Sequence, residues 1–492
     1  MSLPPRLVVA GTASGVGKTT VAVGLMAALA GRGPRVAPAK VGPDFIDPGW
    51  HALASGRPGR NLDAWLCGPE LLALLAAHGA EGADLLVVEG VMGLFDGAAG
   101  HGELASTAQA AKLLQAPVLL VVDAARAGRS LAATVHGFAT FDPALRLAGV
   151  VANRVASERH ERIITEALAP LGVPLLGVLR RGGVPELPSR HLGLVTAAEH
   201  GAGAAGAVAA IARAVAEGID LDRVLALARS ARPAAVPAWA PPAGAAGGQG
   251  RPVVAVAGGP AFTFTYAEHL ELLAAAGAEV AWFDPAADER LPAGAGAVYL
   301  PGGFPEAHGQ ALAANARLRA EVAAFAAAGG PVLAECGGLL YLCRSLDGAP
   351  MCGVLPAEAR MSGSLTLAYR EAVAAAGSVA FPAGARVRAH EFHHASVAPG
   401  AGPTPAWALD GGAAEGWVAG SVHASFLHTH WAARPEVAAR LVAAARPAAE
   451  RAGEPSNAAS REAAGGAERA GEPGEAASRE AAGGRREASW AG

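Results

Sequence analysis

From residue 7 to about 228 the chain alternates short, wholly apolar runs with longer alanine- and leucine-rich stretches. The runs read "LVVA", "DLLVVEG", "APVLLVVDA", "LAGVVANRV" and "VPLLGVL". A strand with one wet face alternates apolar and polar residues. These do not, so both of their faces are covered, as in a parallel sheet with helices on either side. An α/β doubly wound sheet is expected. From residue 230, "SARPAAVPAWAPPAGAAGGQGRP" concentrates proline, glycine and alanine with almost no large apolar side chains, and reads as a linker. The rhythm resumes in "PVVAVA", "AEVAWFD", "GAVYLPGG" and "PVLAECGG", and runs to "GSVHASFLHTHW" and a last helix. Beyond residue 446, "ERAGEP" and "AASREAAGG" each occur twice, and such repeated charge, alanine and glycine cannot bury a core. The expected organisation is an α/β domain over 1–229, a linker over 230–250, a second α/β domain over 251–446 and a disordered low-complexity tail over 447–492.

Composition narrows the function. At 492 residues the chain exceeds what one core usually serves, in keeping with two domains. A net charge of −4, without a basic stripe bearing interleaved aromatics, argues against nucleic acid as a partner. "MSLPPR" leads directly into "LVVA" without a secretory signal pattern, and no uninterrupted apolar stretch is long enough to span a bilayer. Membrane partners are therefore not expected, and the cytoplasm is the expected compartment. Four cysteines, Cys67, Cys336, Cys343 and Cys352, without C-x-x-C spacing, give neither a disulfide framework nor a cysteine-rich zinc site.

The first chemical signal is "GTASGVGKTT", Gly11 to Thr20, placed after the first strand and opening the helix "VAVGLMAALA". Gly15 and Gly17 let the backbone curl so that its N–H groups face an anion at a helix N-terminus. Lys18 adds a point charge, Thr19 can ligate magnesium, and Thr20 continues the motif. A nucleotide is the expected ligand, with Mg2+ as its metal. The loop departs from G-x-x-x-x-G-K-[ST] because Thr12 stands where the first glycine is expected, and this variant resembles dethiobiotin synthetase and its relatives. Oxygen ligands for the metal should lie at strand ends near the loop. Asp44 and Asp47 in "KVGPDFIDPGWH", and Glu89 and Asp96 in "VVEGVMGLFDG", are in the right places, Glu89 best of all.

The second signal is Cys336. "PVLA" is strand-like and "LLYLC" helix-like, so "AECGG" is a tight strand-to-helix elbow, flanked by Ala334, Gly337 and Gly338 where bulk would clash. A thiol there, at a helix N-terminus, is expected to have a lowered pKa and to act as a nucleophile. Alone, such a cysteine would more often be a packed core thiol. Cys67, Cys343 and Cys352 are taken as packing. A base must come from elsewhere in the chain, and "VHASFLHTH" offers His423, His428 and His430.

Together "KVGPDFIDPGWH", "RNLDAWL", "VEGVMGLFDG", "NRVASERH", "GVLRR", "ELPSRHLGLV", "GGFPEAHGQALAANARLR", "AECGGLLYL" and "HASFLHTHW" resemble the cobyrinate a,c-diamide synthase family, including its hydrogenobyrinic acid members, across residues 6 to 440. The resemblance implies a P-loop, dethiobiotin-synthetase-like amide synthetase domain followed by a class I glutamine amidotransferase-like domain. It implies ATP- and glutamine-dependent amidation of the a- and c-acetate carboxylates of hydrogenobyrinic or cobyrinic acid, by way of a carboxyl phosphate and ammonia from glutamine. Its partners are then a corrinoid, glutamine and ATP. Lys18 and Thr19 serve the phosphates and metal, with Asp44 and Glu89 as metal or substrate-side carboxylates and Asp47 on the substrate side. Arg180, Arg181, Ser189, Arg190 and His191 anchor a polyanionic substrate, although a plain solvated basic loop stays open. The resemblance places the general base at His428 and the oxyanion donors at the N–H of Gly303 and of the residue after Cys336. Many class I amidotransferases carry a glutamate two residues after the base; His430 holds that place and is carried as the third triad position.

In "HEFHH", His390, Glu391, His393 and His394 lack H-E-x-x-H spacing, and a structural or substrate-proximal role is expected rather than zinc. "AVAGGPAFTF" resembles members acting on the metal-free ring. Two rival readings are cobyric acid synthase, which amidates other side chains, and a nucleotide-dependent partition switch, which would need neither Cys336 nor His428. A homodimer, the ammonia path and the role of the tail stay open.

Overall fold

The computed structural model describes residues 2–185, 189–190, 193–201, 203–242 and 250–446. Seven strands build the first sheet: β1 (Arg6–Gly11), β2 (Val36–Val41), β3 (Arg60–Leu62), β4 (Leu85–Glu89), β5 (Val118–Asp123), β6 (Leu147–Val155) and β7 (Leu175–Arg180). They lie in the order β3-β2-β4-β1-β5-β6-β7 with every pairing parallel. Alternate side chains of β1 separate cleanly. Leu7 and Val9 join the core with α1 (Lys18–Ala30) and α2 (Ile46–Ser55), whereas Val8 and Ala10 join one containing Leu72, Ala108 and Val135. Both faces are dry, which is why β1 reads as an unbroken apolar run. The apolar runs single out neither β2, where only the placing of Asp44 and Asp47 at a strand end implied a strand, nor β3, because "VAPAKV" carries a proline and a lysine and β3 has only three residues. Both bear on the site below.

After the two-residue pair β8 (Ser189–Arg190) and β9 (Gly193–Leu194), the second half begins with β10 (Val253–Ala257), β11 (Glu279–Phe283), β12 (Ala295–Leu300) and β13 (Val332–Glu335). Then come β14 (Ser345–Leu346), β15 (Ala349–Pro350), β16 (Glu358–Ala374), β17 (Arg386–Ala398), β18 (Trp407–Leu409), β19 (Ala414–Glu415), β20 (Trp417–Ala419), β21 (Val422–Ser425) and β22 (His428–Thr429). One sheet runs β11-β10-β12-β13-β21-β20, parallel except at the β20–β21 edge. A further sheet, β15-β14-β16-β17-β22, is dominated by the long antiparallel hairpin β16–β17. The uniform α/β rhythm expected for the second half thus misses a sheet. Much of β16 is half-exposed and lacks the apolar runs that mark buried strands.

The two halves pack as one body. Arg60 on β3 donates to Glu268 at 2.7 Å and to Glu271 at 2.5 Å, and His78 reaches the other oxygen of Glu271 at 2.8 Å. The Tyr369 hydroxyl donates to Asp63 at 2.7 Å. Arg60 and Glu268 are both buried, and such a pair specifies an interface chiefly because either charge alone would be expensive to bury. The described part of the expected linker does not hang free: Leu3 N–H donates to Ala234 C=O, and Trp239 is buried with its ring edge-on to His78. The tail expected over 447–492 lies outside the described residues. No described helix is long and apolar enough to cross a membrane.

Candidate active site

Two clusters of polar side chains stand at the carboxyl ends of the two parallel sheets. The first surrounds the phosphate loop. Helix α1 starts after Gly17, whose φ of 101° lies in the left-handed region and whose added Cβ would sit 2.2 Å from the Asn153 side-chain nitrogen. Asn153 in turn donates to the carbonyl of Val16 at 2.9 Å, so the end of β6 braces the loop. No side chain caps α1, and its first N–H groups stay available to an anion. Gly15 has φ of 76° at the exposed bend, Lys18 folds back to donate to the Ala13 carbonyl at 2.9 Å, and Thr20 is the third residue of the helix. Burial, with the nearby Lys40 charge, lowers the Lys18 ammonium to about 8.

Behind the loop lies a buried knot of charge. Thr19 donates to Glu89 at 2.6 Å and lies 3.4 Å from Asp47. Lys40 of β2 donates to Asp47 at 2.5 Å, to Glu89 at 2.9 Å and to the Gly90 carbonyl at 3.2 Å, while His51 meets the second Glu89 oxygen at 2.6 Å. Burial alone would raise Glu89, but Lys40 and the hydrogen bonds from His51 and Thr19 outweigh it and hold the carboxyl well below its usual range. Asp47 goes the other way, pushed up by burial and by the charges of Asp44 and Glu89 against the pull of Lys40. The donor set of hydroxyl and carboxylate oxygens suits a hard divalent cation that completes its shell with phosphate and water. One oxygen of Asp44 accepts from Ile46 N–H at 2.7 Å and caps the start of α2, and Asp47 is the acid that lies 3.4 Å from Thr19. Asp96 accepts from Gly93 N–H at 2.9 Å, shaping the turn after β4.

Of the expected substrate anchors, the side chains of Arg180 and Arg181 are described. Arg180 ends β7 in an ion pair with Glu161 at 2.5 Å, and Arg181 donates to the Ala125 carbonyl at 2.8 Å. Ser189 and Arg190 form β8; their side chains, and all of His191, lie outside the described residues.

In the second cluster Cys336 joins β13 to the short helix Gly337–Leu342 with φ of 46° and ψ of −100°, a conformation a side chain rarely adopts. Its N–H donates to the Ser425 carbonyl at 2.7 Å, and its thiol lies 3.7 Å from the Phe392 carbonyl. A Cβ on Gly337 would meet Gly303 N at 2.9 Å, and one on Gly338 would meet the Leu300 carbonyl at 2.2 Å. Only glycines let the elbow close against the 302–303 turn, where the Gly303 N–H has no backbone partner among the described residues. The expectation of a lowered thiol pKa is reversed. Burial, with charge from Glu306, pushes Cys336 up, and one N–H bond from Gly337 on a six-residue helix does not offset it. Burial also raises the thiols of Cys343 and Cys352 to about 12 and that of Cys67 well above its usual value.

His428 is completely buried on β22, and both of its ring nitrogens lack a partner among the described residues. Burial first, then His390 and His393, hold it neutral. Gly302 lies against its ring: an added Cβ there would meet Cε1 at 2.4 Å. His430 turns away, its Nδ1 accepting from Ala432 N–H at 3.3 Å, its Nε2 3.7 Å from Glu268 and its ring stacked on Tyr266. No hydrogen bond joins it to His428 among the described residues, so the geometry does not give it the third triad position. His423 is a core histidine between Phe381 and Trp407, lowered to about 3 by burial. In "HEFHH", Glu391 accepts from Arg370 at 2.7 Å and meets His393 at 3.0 Å, while His390 pairs across the strands with His428. No three His, Cys, Asp or Glu side chains converge as a metal site among the described residues.

Sequence reading passed over Lys40, His51, Asn153, Phe45 and two buried acids. Glu335, immediately before Cys336, accepts from Tyr299 at 3.0 Å and from the Thr429 hydroxyl at 3.0 Å. Glu415 accepts from Ser425 at 2.6 Å and from Phe426 N–H at 2.8 Å. One acid thus braces the strand that carries His428 and the other the residue that holds Cys336. The signal was present for Glu335, since a charged residue inside an apolar strand must be satisfied by something. Burial raises both acids to about 7. An acid raised in the folded state stabilises below its unfolded pKa and loses that contribution as pH rises through the folded value. Between 4.5 and about 7 each should therefore remove about 3 kcal/mol. Urea unfolding of Glu335→Gln should show a visibly weaker fall in stability from pH 5 to pH 8 than the parent; an equal fall would contradict the assignment.

Residues 7–195 match the family profile described as the CobQ/CobB/MinD/ParA nucleotide binding domain, and residues 253–436 match the CobB/CobQ-like glutamine amidotransferase domain. The chain is 57% identical over 473 residues to the hydrogenobyrinate a,c-diamide synthase of Streptomyces coelicolor, covering 90% of this chain and 97% of that protein. It is 52% identical over 444 residues to the enzyme of the same name from Mycobacterium tuberculosis, covering 88% and 96%. With the cobyrinate a,c-diamide synthase of Syntrophotalea carbinolica it shares 45% identity over 454 residues, covering 89% and 98%.

Proposed function

The chain belongs to the family of hydrogenobyrinate and cobyrinate a,c-diamide synthases, and from that membership we infer that it is a glutamine-hydrolysing carbon–nitrogen ligase of cobalamin biosynthesis. It converts the a- and c-acetate carboxylates of a corrin ring to amides. The observation that carries this reading is similarity along nine-tenths of the chain, spanning both the phosphate loop and the elbow cysteine. Identity is higher to the hydrogenobyrinate enzymes than to the cobyrinate one, which supports the metal-free ring as substrate. Requirements for ATP and glutamine support a cytoplasmic setting.

The residues divide the work. Backbone N–H groups of the Gly15–Gly17 turn and the start of α1, with Lys18, hold the ATP phosphates. Mg2+ fits beside Thr19, Glu89 and Asp47, where it would neutralise phosphate charge. A corrin carboxylate oxygen attacks the γ-phosphorus, giving an acyl phosphate and ADP. In the other half, His428 takes the Cys336 proton as sulfur attacks the glutamine side-chain carbonyl, and the N–H groups of Gly303 and Gly337 receive the oxyanion. A thiol held protonated by burial and a neutral imidazole are the correct starting states for that transfer. Ammonia leaves with the proton from His428, and water releases glutamate from the thioester. The ammonia then displaces phosphate from the acyl phosphate.

Purified protein supplied with ATP, glutamine and either hydrogenobyrinic or cobyrinic acid should yield the a,c-diamide, faster from the metal-free acid. Amidation of neither would reject the reading; amidation of other side chains would favour a cobyric acid synthase instead.

A further inference from the structure

The two clusters are not independent, because one side chain touches both. Phe45 sits between Asp44, which caps α2, and Asp47, which lies beside Thr19 and Lys40. Its ring crosses into the other half of the molecule. It stacks on Phe264 at 4.9 Å with planes 7° apart, lies 4.4 Å from Tyr266 and stands 5.1 Å from the imidazole of His428. The Tyr266 hydroxyl returns the contact by donating to the Pro43 carbonyl at 3.3 Å. On another side Phe45 lines a cavity of about 610 Å3 at the seam, together with Pro48, Thr263, Thr265 and Asp284. The ring is thus a wall between that cavity and a histidine whose two nitrogens have no hydrogen-bond partner among the described residues to fix their direction.

A catalytic imidazole normally has a second group orienting it. His430 does not supply one here, and among the described residues no carboxylate hydrogen-bonds to His428. What surrounds the ring is Phe45, Phe264, His390 and the glycine at 302. We propose that Phe45 is a positioning residue for His428: a ring anchored in the nucleotide-site loop sets the orientation of the glutaminase base by packing and shuts it off from the seam cavity. Phe45 itself touches no reacting atom. The proposal rests on the functional reading above, in which His428 is the base and ammonia passes to the acyl phosphate.

The consequence is that the 42–45 loop, which leads into the helix carrying Asp47 of the nucleotide site, also sets the competence of the glutaminase. Removing the ring should harm glutamine use specifically. Displacement of a catalytic group by about 1 Å can cost on the order of 10^2-fold, so Phe45→Ala should lower glutaminase kcat by about 10- to 100-fold with a smaller change in KM for glutamine. Opening the wall should also let ammonia escape, raising the number of glutamines consumed per amide formed. Phe45→Leu should be intermediate and Phe45→Tyr close to the parent, since the ring is what acts.

The test compares the parent with Phe45→Ala, Phe45→Leu and Phe45→Tyr. It measures glutamine hydrolysis, glutamine consumed per amide, and amide synthesis driven by ammonium chloride in place of glutamine. The ammonium-driven rate reports folding and the synthetase half, and should change by less than about threefold. Tyr369→Phe, which removes the interface bond to Asp63, controls for general loosening of the seam and should leave the glutamine-to-amide ratio unchanged. Glutaminase and ammonium-driven rates falling by the same factor in Phe45→Ala, or neither rate falling, would overturn the proposal. A parent protein that hydrolyses no glutamine would overturn the functional reading and this inference together, a result distinguishable from loss in the variants alone.

Discussion

Cys336→Ser should abolish glutamine-driven amidation while ammonium-driven amidation continues. A hydroxyl at the elbow keeps the geometry of β13 and the following turn but is a far weaker nucleophile than a thiolate, and His428 cannot compensate for that. Loss of a nucleophile from a unit that acts together costs on the order of 10^4-fold or more in kcat, so glutaminase activity should fall to background. The ammonium reaction bypasses the thioester and should stay within about threefold of the parent. Product mass and released glutamate, measured with each nitrogen source, separate the two outcomes. Glutaminase activity surviving in Cys336→Ser would sink the nucleophile assignment. The side chain is almost fully buried, and oxygen is smaller than sulfur, so the substitution introduces no clash.

Lys18→Ala should have the complementary effect and stop amidation from both nitrogen sources. Lys18 leans over the phosphate loop, held by the Ala13 carbonyl, and is the one basic residue between Gly11 and Thr20. Lys40, the nearest alternative, is committed to Asp47 and Glu89. Removing a preorganised charge that meets transferring phosphate costs on the order of 10^2- to 10^3-fold. The expected loss is therefore at least of that order in ATP-dependent synthesis, whether glutamine or ammonium supplies nitrogen. Lys18→Arg should not restore it, since the cradle holds a compact point charge rather than a planar fork. Hydrolysis of glutamine should outlast both substitutions, because Lys18 lies in the other half. Ammonium-driven synthesis persisting in Lys18→Ala would dismiss the phosphate-loop assignment.

Much of this was legible from local pattern. The buried strands β1, β4 and β5 are continuous apolar runs, and the glycines at 17, 337 and 338 mark the places where backbone must come close to something. What local pattern hid was polar and tertiary. Lys40 lies in a short strand that carries a proline and pairs with both β3 and β4, and nothing in "VAPAKV" says that its ammonium will face Asp47 and Glu89. The hairpin β16–β17 escaped because its exposed positions interrupt any apolar run, yet it supplies the strand against which His428 pairs. His430 invited a role from its position alone, and its contacts with Tyr266 and Glu268 point elsewhere.

By itself, then, the sequence determined the long apolar strands, the phosphate loop and the cysteine elbow, because each depends on residues within about a dozen positions of one another and on rules of backbone sterics and burial, whereas the pairing of those strands joins residues as far apart as Val9 and Glu89. Tertiary structure alone decided the protonation states and the joining of the two sites. Cys336 is held protonated and His428 neutral by burial among residues far away in the chain, and desolvation cannot be read from neighbours in sequence. Phe45 becomes the bridge only because Phe264, Tyr266 and His428, more than 200 positions away, fold against it.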